Sequence, residues 1–310
     1  MKTAVLINGF ANNGSAEKKW DHIEDDMKNI MPVGTLYIHF SETDNHISLM
    51  ETLVNEYQVK NFVSAGGDGS INNLINTLAQ VTNYQLAPFC IGAIGLGSSN
   101  DFLKPVKHKI RGIPVRIDFE NKKQADLGIV EYMENDTTKK QLFIVNASLG
   151  FTAKGNQNFN DNSNKIIQFL KPLSTNLCIL WTIAQTLLNY TNIHLEIAYD
   201  EKQFSTSVTN LSIAKNPNVS GSFCYDVDPG TDSGCLGFYL AENFKRQQIP
   251  GLLYALYQKR FSQTKNCKTA LVQSVEINSA KPVLLETDGE IIEACRFRFS
   301  VLPRALFVAD

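Results

Sequence analysis

Residues Ala65-Gly66-Gly67-Asp68-Gly69-Ser70-Ile71-Asn72-Asn73 lie between a short apolar run, 62–65, and a segment in which Leu74, Ile75 and Leu78 recur at the spacing of one helix face. A short apolar run that passes into 3.6-residue periodicity predicts a buried strand, a turn and a helix. Three glycines in four residues allow positive φ and let the backbone approach a bulky group closely. The helix start presents N–H groups to an anion, with Ser70 the expected N-cap. Phosphate fits such a turn, and so does a tight turn with no ligand. Asp68 favours a ligand, because a carboxylate among phosphate-facing amides needs a cation or a transferable proton beside it.

The unit repeats along the first third of the chain. Residues 4–8 predict a strand, 9–15 a turn-rich loop ending at the expected N-cap Ser15, and 16–31 a helix. Strand-like runs at 35–40, 59–65 and 88–94 alternate with helical patterns, the arrangement of parallel β-α-β units. Ligands of such sheets sit at the carboxyl ends of the strands, where both glycine loops fall. The second loop, Gly95-Leu96-Gly97-Ser98-Ser99-Asn100-Asp101-Phe102, also carries an acid. No Walker sequence occurs.

Beyond about residue 120 the texture becomes β-rich, with short alternating runs and two helical stretches, 165–190 and 248–261, which predicts an antiparallel sandwich. The expected organisation is an α/β domain over 1–120 and a β-rich domain from 121 onward, meeting at a cleft. With 29 basic and 31 acidic residues the net charge is −2, which argues against general nucleic-acid binding. The six cysteines show no CxxC spacing, so neither a zinc site nor a disulfide framework is expected. The N-terminal apolar run is too short for a signal peptide, and 177–188 is too short for a span, so a cytoplasmic protein is expected.

Residues 66–73 resemble the GGDGTxNE motif of the diacylglycerol kinase catalytic-domain family, which includes bacterial lipid kinases and sphingosine kinases. Residues 97–102 resemble that family's GTxNDF, a more specific signal than GGDG, which NAD kinases and phosphofructokinases share. Asp126, the NASLGFTA stretch at 146–153, and Asp288-Gly289-Glu290 followed by Leu302-Pro303 keep the family's order, so the resemblance spans nearly the whole chain.

It implies an ATP-dependent lipid kinase acting on a diacylglycerol- or sphingosine-like hydroxyl, with a nucleotide-binding domain of 1–120 to which about 297–310 returns, and a substrate domain of 121–296. It implies that Asn8, Gly66, Gly67, Gly69, Ser70, Asn72, Gly97, Ser98 and Asn100 serve the nucleotide, and that Asp68, Asp101 and Asp126 serve Mg2+. Asp288 is the expected general base, with Glu290 orienting it or the cation, and Asp68 is its rival. The base reading treats Asp288 as an exposed acid, whereas Asp288-Gly289 alone reads as an ordinary hairpin turn. The apolar stretch 166–187 suits core packing or an acyl chain. The expected partners are a lipid substrate and a transient membrane-surface contact, without nucleic acid; the oligomeric state is open, a homodimer included. A NAD kinase-like enzyme and a catalytically weak nucleotide- or lipid-binding protein are the alternatives.

Three departures are mild: Asn73 where the family has Glu, Gly95 where Pro is usual, and Gly9 where Pro would follow Asn8. A fourth is not. Bacterial members often hold a structural magnesium ion with two carboxylates in the loop 228–234, and here those positions are Gly230 and Ser233.

Overall fold

The computed structural model describes residues 1–11, 14–40, 45–135, 137–160, 164, 166–167, 169–170 and 175–310. The chain forms two compact units, Met1–Asp126 with Pro303–Asp310, and Leu127–Leu302. The change of texture expected near 120 therefore falls inside one strand.

In the first unit, β1 (Lys2–Ile7), α1 (Ser15–Ile30), β2 (Leu36–His39), α2 (His46–Glu51), β3 (Val59–Gly66), α3 (Asp68–Val81) and β4 (Cys90–Gly95) follow in order. β2, β1, β3 and β4 lie side by side in that order, all parallel. The outer edge of β4 takes the end of the chain in parallel at Phe307 and Val308. Of the pair β5 (His108–Ile110) and β6 (Ile113–Arg116), β6 joins the same edge antiparallel. The burial of α1 follows its sequence: Ala16, Trp20, Ile23 and Met27 recur at helix-face spacing and pack with Val5, Ile7, Val63 and Ile94. α3 buries Ile71, Leu74, Ile75 and Leu78.

Both expected N-caps are corrected. Gly14 in the left-handed region caps α1, putting Ser15 inside the helix. Extended Gly67 caps α3, so Ser70 falls in its first turn, where its hydroxyl accepts a side-chain hydrogen bond.

The second unit is antiparallel. It holds most of β7 (Lys123–Glu134), then β8 (Thr137–Phe143), β9 (Asn146–Gly150), α4 (Phe151–Asn160), α5 (Thr175–Asn189), β10 (Ile193–Tyr199) and β11 (Lys202–Ala214). After β12 (Asn218–Val219) and β13 (Phe223–Cys224) come β14 (Leu236–Glu242), α6 (Ile249–Tyr257), β15 (Cys267–Val272), β16 (Ser274–Thr287) and most of β17 (Glu290–Val308). Between the long strands β11 and β16, β10 pairs with one end and β9 with the other. Leu149, Leu211, Ile213, Phe238, Leu285 and Phe297 share one core, as alternation along the strands predicts. Of the helix expected at 165–190, residues 165, 168 and 171–174 lie outside the described residues. The turn into α4 was not anticipated from sequence. It depends on Gly150 at φ +94, where a Cβ would lie 2.6 Å from Thr209 O.

Candidate functional site

β1 leads to β2 on one side and, later in the chain, to β3 on the other, so the sheet reverses its strand order between β1 and β3. Asn8 follows β1 at this point. Its backbone N–H donates to Ala65 O at 2.9 Å, and its Nδ2 donates to Ser70 Oγ at 2.9 Å. The two glycine loops meet beside it. Gly66 O accepts from the N–H groups of Leu96 (2.9 Å) and Gly97 (3.0 Å). A Cβ on Gly97 would lie 2.5 Å from Gly67 Cα, and one on Gly66 2.4 Å from Ser70 Oγ. Close approach therefore explains these glycines, and the expected positive φ does not: Gly67 is extended at φ −104. Gly95 has a similar reason, since a Cβ there would meet Pro114 Cγ at 2.7 Å and Leu103 Cδ1 at 2.8 Å.

Asp68 spans the two loops. Its Oδ2 accepts from Asp101 N–H and its Oδ1 from Phe102 N–H, both at 3.0 Å. Those donors start a short 3₁₀ turn, Asp101–Leu103, so the carboxylate closes the second loop onto the first. Asn100, in the left-handed region, donates from Nδ2 to Gly95 O (3.3 Å) and Gly97 O (3.2 Å), while its Oδ1 is buried with no partner among the described residues. Ser98 is exposed. Asn72 is buried in α3 and accepts from Asn76 Nδ2, whereas Asn73, the departure from the motif, faces solvent.

Lys19 is a site residue that sequence reading missed. From α1 its Nζ donates to Leu96 O (3.0 Å) and Gly97 O (3.3 Å), and partial burial holds its ammonium below the usual lysine range. Nothing in the spacing of α1 marks it.

Each acid of the expected magnesium trio has a partner within the first unit. Asp101 is 4% exposed and paired with Lys104 Nζ at 2.5 Å, and Asp126 accepts from Arg304 N–H at 2.8 Å. Asp68 holds the loop amides as above. Among the described residues no three His, Cys, Asp or Glu side chains form a metal-holding group.

In the second unit, Asp288 (φ 47) and Gly289 (φ 105) form the two-residue turn between β16 and β17, the backbone preference of an Asp-Gly pair. Asp288 is not the exposed acid assumed for a base: it is 3% exposed, and its carboxylate accepts from the N–H groups of Ile144 (2.8 Å), Val145 (3.1 Å) and Asn146 (2.8 Å). Three of about four lone-pair positions are thereby engaged. Glu290, the next acid, is exposed. Buried Glu286 was also missed; its Oε2 accepts from Ser148 Oγ and its Oε1 from Gly289 N–H, both at 2.7 Å. Ser148 lies opposite both Glu286 and Ser212, and Ser212 opposite Tyr239, making a polar row across four strands.

α5 turns Cys178, Thr182 and Thr186 inward, with Ile183 and Leu187 packed against the core, and leaves further apolar side chains outside. Buried Thr182 and Thr186 donate to carbonyls four residues back, and Asn158 Nδ2 donates to Thr186 Oγ1 at 2.9 Å. Leu177, Leu180, Trp181 and Leu188 face outward, Leu180 at 62% and Leu188 at 73% exposure. No charged residue occurs in α5.

A parallel α/β unit with paired glycine loops at its strand ends, in one chain with an antiparallel β-rich unit, defines a class of two-domain kinase folds. Residues 2–129 match the diacylglycerol kinase catalytic domain, and residues 148–310 match the YegS C-terminal NAD kinase beta sandwich-like domain. The chain belongs to the diacylglycerol kinase catalytic-domain family. A putative lipid kinase of Staphylococcus aureus (strain Newman) is 26% identical over 253 residues, covering 78% of this chain and 74% of that protein. Among solved structures, a putative diacylglycerol kinase from Bacillus anthracis str. Sterne has a TM-score of 0.70 at 17% identity, over 99% of this chain and 97% of that one. A diacylglycerol kinase from the same strain has a TM-score of 0.66 at 14% identity, over 99% and 96%. Both show the same fold. Among the described residues, no helix is long and apolar enough to cross a membrane.

Proposed function

We propose that the chain transfers the γ-phosphoryl group of ATP to the hydroxyl of a lipid. The observation that carries this reading is the pair of glycine loops pressed together at the carboxyl ends of parallel strands, where the strand order reverses. Glycine surfaces without side chains, the positive end of α3 and the Lys19 ammonium suit a polyphosphate. Gly66, Gly67, Gly69, Ser70, Gly97 and Ser98 would face its phosphates, with Asn8, Asn72 and Asn100 holding the loops. ATP supplies the phosphoryl group. Magnesium, held on the nucleotide phosphates with Asp68, Asp101 and Asp126 as the expected acids, would neutralise the charge that moves in the transfer.

In the reaction the acceptor oxygen forms a bond to the γ-phosphorus, the bond from that phosphorus to the β–γ bridging oxygen breaks, and the hydroxyl proton passes to a carboxylate. We assign that proton to Glu290, with Asp288 as the positioning residue that holds the hairpin. The exposed carboxylate has oxygens open to an acceptor, while Asp288 is engaged by three amides. The outward face of α5 supports a lipid acceptor and a brief contact of this helix with a phospholipid surface: it is uncharged and apolar, and it carries a tryptophan suited to the interface.

The test is transfer of label from γ-labelled ATP to total lipid extract, diacylglycerol, sphingosine and NAD. Label in a lipid is the expected result. Label in NAD alone would establish the NAD kinase-like alternative, and nucleotide binding without transfer to any acceptor would make the chain a binding protein.

A further inference from the structure

The loop 228–234, where the resemblance implies a carboxylate-held structural magnesium ion, contains a different cation. Lys215 directly follows β11, and its backbone N–H donates to Val145 O at 2.8 Å. It is 5% exposed, and its Nζ donates to Gly230 O at 2.9 Å and Cys235 O at 2.8 Å. Gly230 and Gly234 have φ of +75 and +71, a left-handed backbone at two points of the loop.

The loop's acids are placed otherwise. Asp228 is exposed and its Oδ1 accepts from Gly230 N–H at 2.8 Å, while Asp232 is exposed. Ser233 Oγ accepts from Cys235 N–H at 3.2 Å.

We propose that the Lys215 ammonium is the resident cation of this loop and replaces a divalent metal there. A structural magnesium or calcium ion gathers several oxygens, carboxylates among them. An ammonium carries one positive charge and three donors, so it satisfies backbone carbonyls without needing a carboxylate. The two changes are coherent: a second cation at carboxylates beside a buried ammonium would be repelled, and Gly230 and Ser233 offer none. Loss of the expected acids then removes nothing from this chain, because the cation is carried on the residue that follows β11. A covalently attached cation also frees the loop from metal supply, whereas a metal-held loop would couple its order to ion concentration. This inference does not depend on the assigned reaction.

The test measures the Tm of the full-length protein without nucleotide, before and after EDTA treatment and after adding back Mg2+ or Ca2+. The Tm is expected to stay unchanged throughout, and Lys215→Met, which leaves two carbonyls without their donor, is expected to lower it by about 5 °C. A wild-type Tm that falls in EDTA and returns with either ion would overturn the proposal, as would Lys215→Met with the wild-type Tm. If Lys215→Met does not fold, hydrogen exchange at residues 228–235 of the wild type decides. Equal protection in EDTA and in Ca2+ supports the ammonium, and protection that rises with the ion refutes it.

Discussion

A single methyl group added at Gly97 would stand 2.5 Å from the α-carbon of Gly67, so at the residue scale the site depends on what these glycines lack. Gly97→Ala must push the two loops apart, and we expect nucleotide affinity, measured by calorimetry, to fall about tenfold or more while the circular dichroism of the helices is kept. Unchanged affinity would remove the loops from the nucleotide site. The carboxylates of the hairpin can be separated by what each substitution harms. Glu290→Gln should lower turnover by about a hundredfold or more, the usual cost of losing a general base, with Tm unchanged because the side chain is exposed. Asp288→Asn should lower Tm, since the amide nitrogen that replaces Oδ2 cannot accept from Ile144 N–H, while Oδ1 keeps Val145 and Asn146. Full turnover in Glu290→Gln, with Asp288→Asn stable but inactive, would return the base to Asp288.

At the element scale, α5 is the least ordinary piece. A surface helix normally turns its apolar stripe to the core. Here the inner side holds Thr182 and Thr186 in a hydrogen-bonded set beside core-packed Ile183 and Leu187, while the outer face still holds leucines. Leu180→Glu and Leu188→Glu should each weaken binding to phosphatidylglycerol-containing vesicles by about tenfold, by the loss of apolar contact area, and leave Tm unchanged. Sedimentation with vesicles measures the first and calorimetry the second; vesicle binding indifferent to both substitutions would reject the membrane contact. Periodicity alone showed that this segment is helical and apolar. Which face was buried depended on polar partners such as Asn158, 28 residues away from Thr186.

At the scale of the whole molecule, thiols and phenols withdrawn from water lead us to expect an alkaline limit. Burial pushes the thiol of Cys90 up to about 11 and that of Cys267 up to about 12, and the phenol of Tyr225, stacked on Tyr239, up to about 12. Burial raises Tyr190 and Tyr239 further. Each group favours its neutral form in the fold and ionises first in the unfolded chain, so the stabilisation is complete below the ordinary values of 9.0 and 10.0 and is lost as pH rises through the raised ones. Tm should therefore decline from about pH 9 to about pH 12, with tyrosinate absorbance from the buried phenols appearing only as near-ultraviolet dichroism is lost. Tyrosinate signal from all ten tyrosines with the dichroism intact would contradict this. The sequence by itself determined what local chemistry can encode: the strand, turn and helix around residues 65–78, the parallel alternation, the later β-rich texture and the family. Its glycines were legible as a loop, and the reason for them was not, because Gly67 needs to be small only where Gly97 arrives. The charged groups show the same limit. Asp68 takes its amide partners 33 and 34 residues along the chain, Asp288 takes its own 142 to 144 residues back, and Lys215 reaches carbonyls 15 and 20 residues ahead. Spacing records backbone conformation over a few residues, whereas the role of a charged group is fixed by whatever donors and acceptors folding brings to it, and that only the tertiary structure decided.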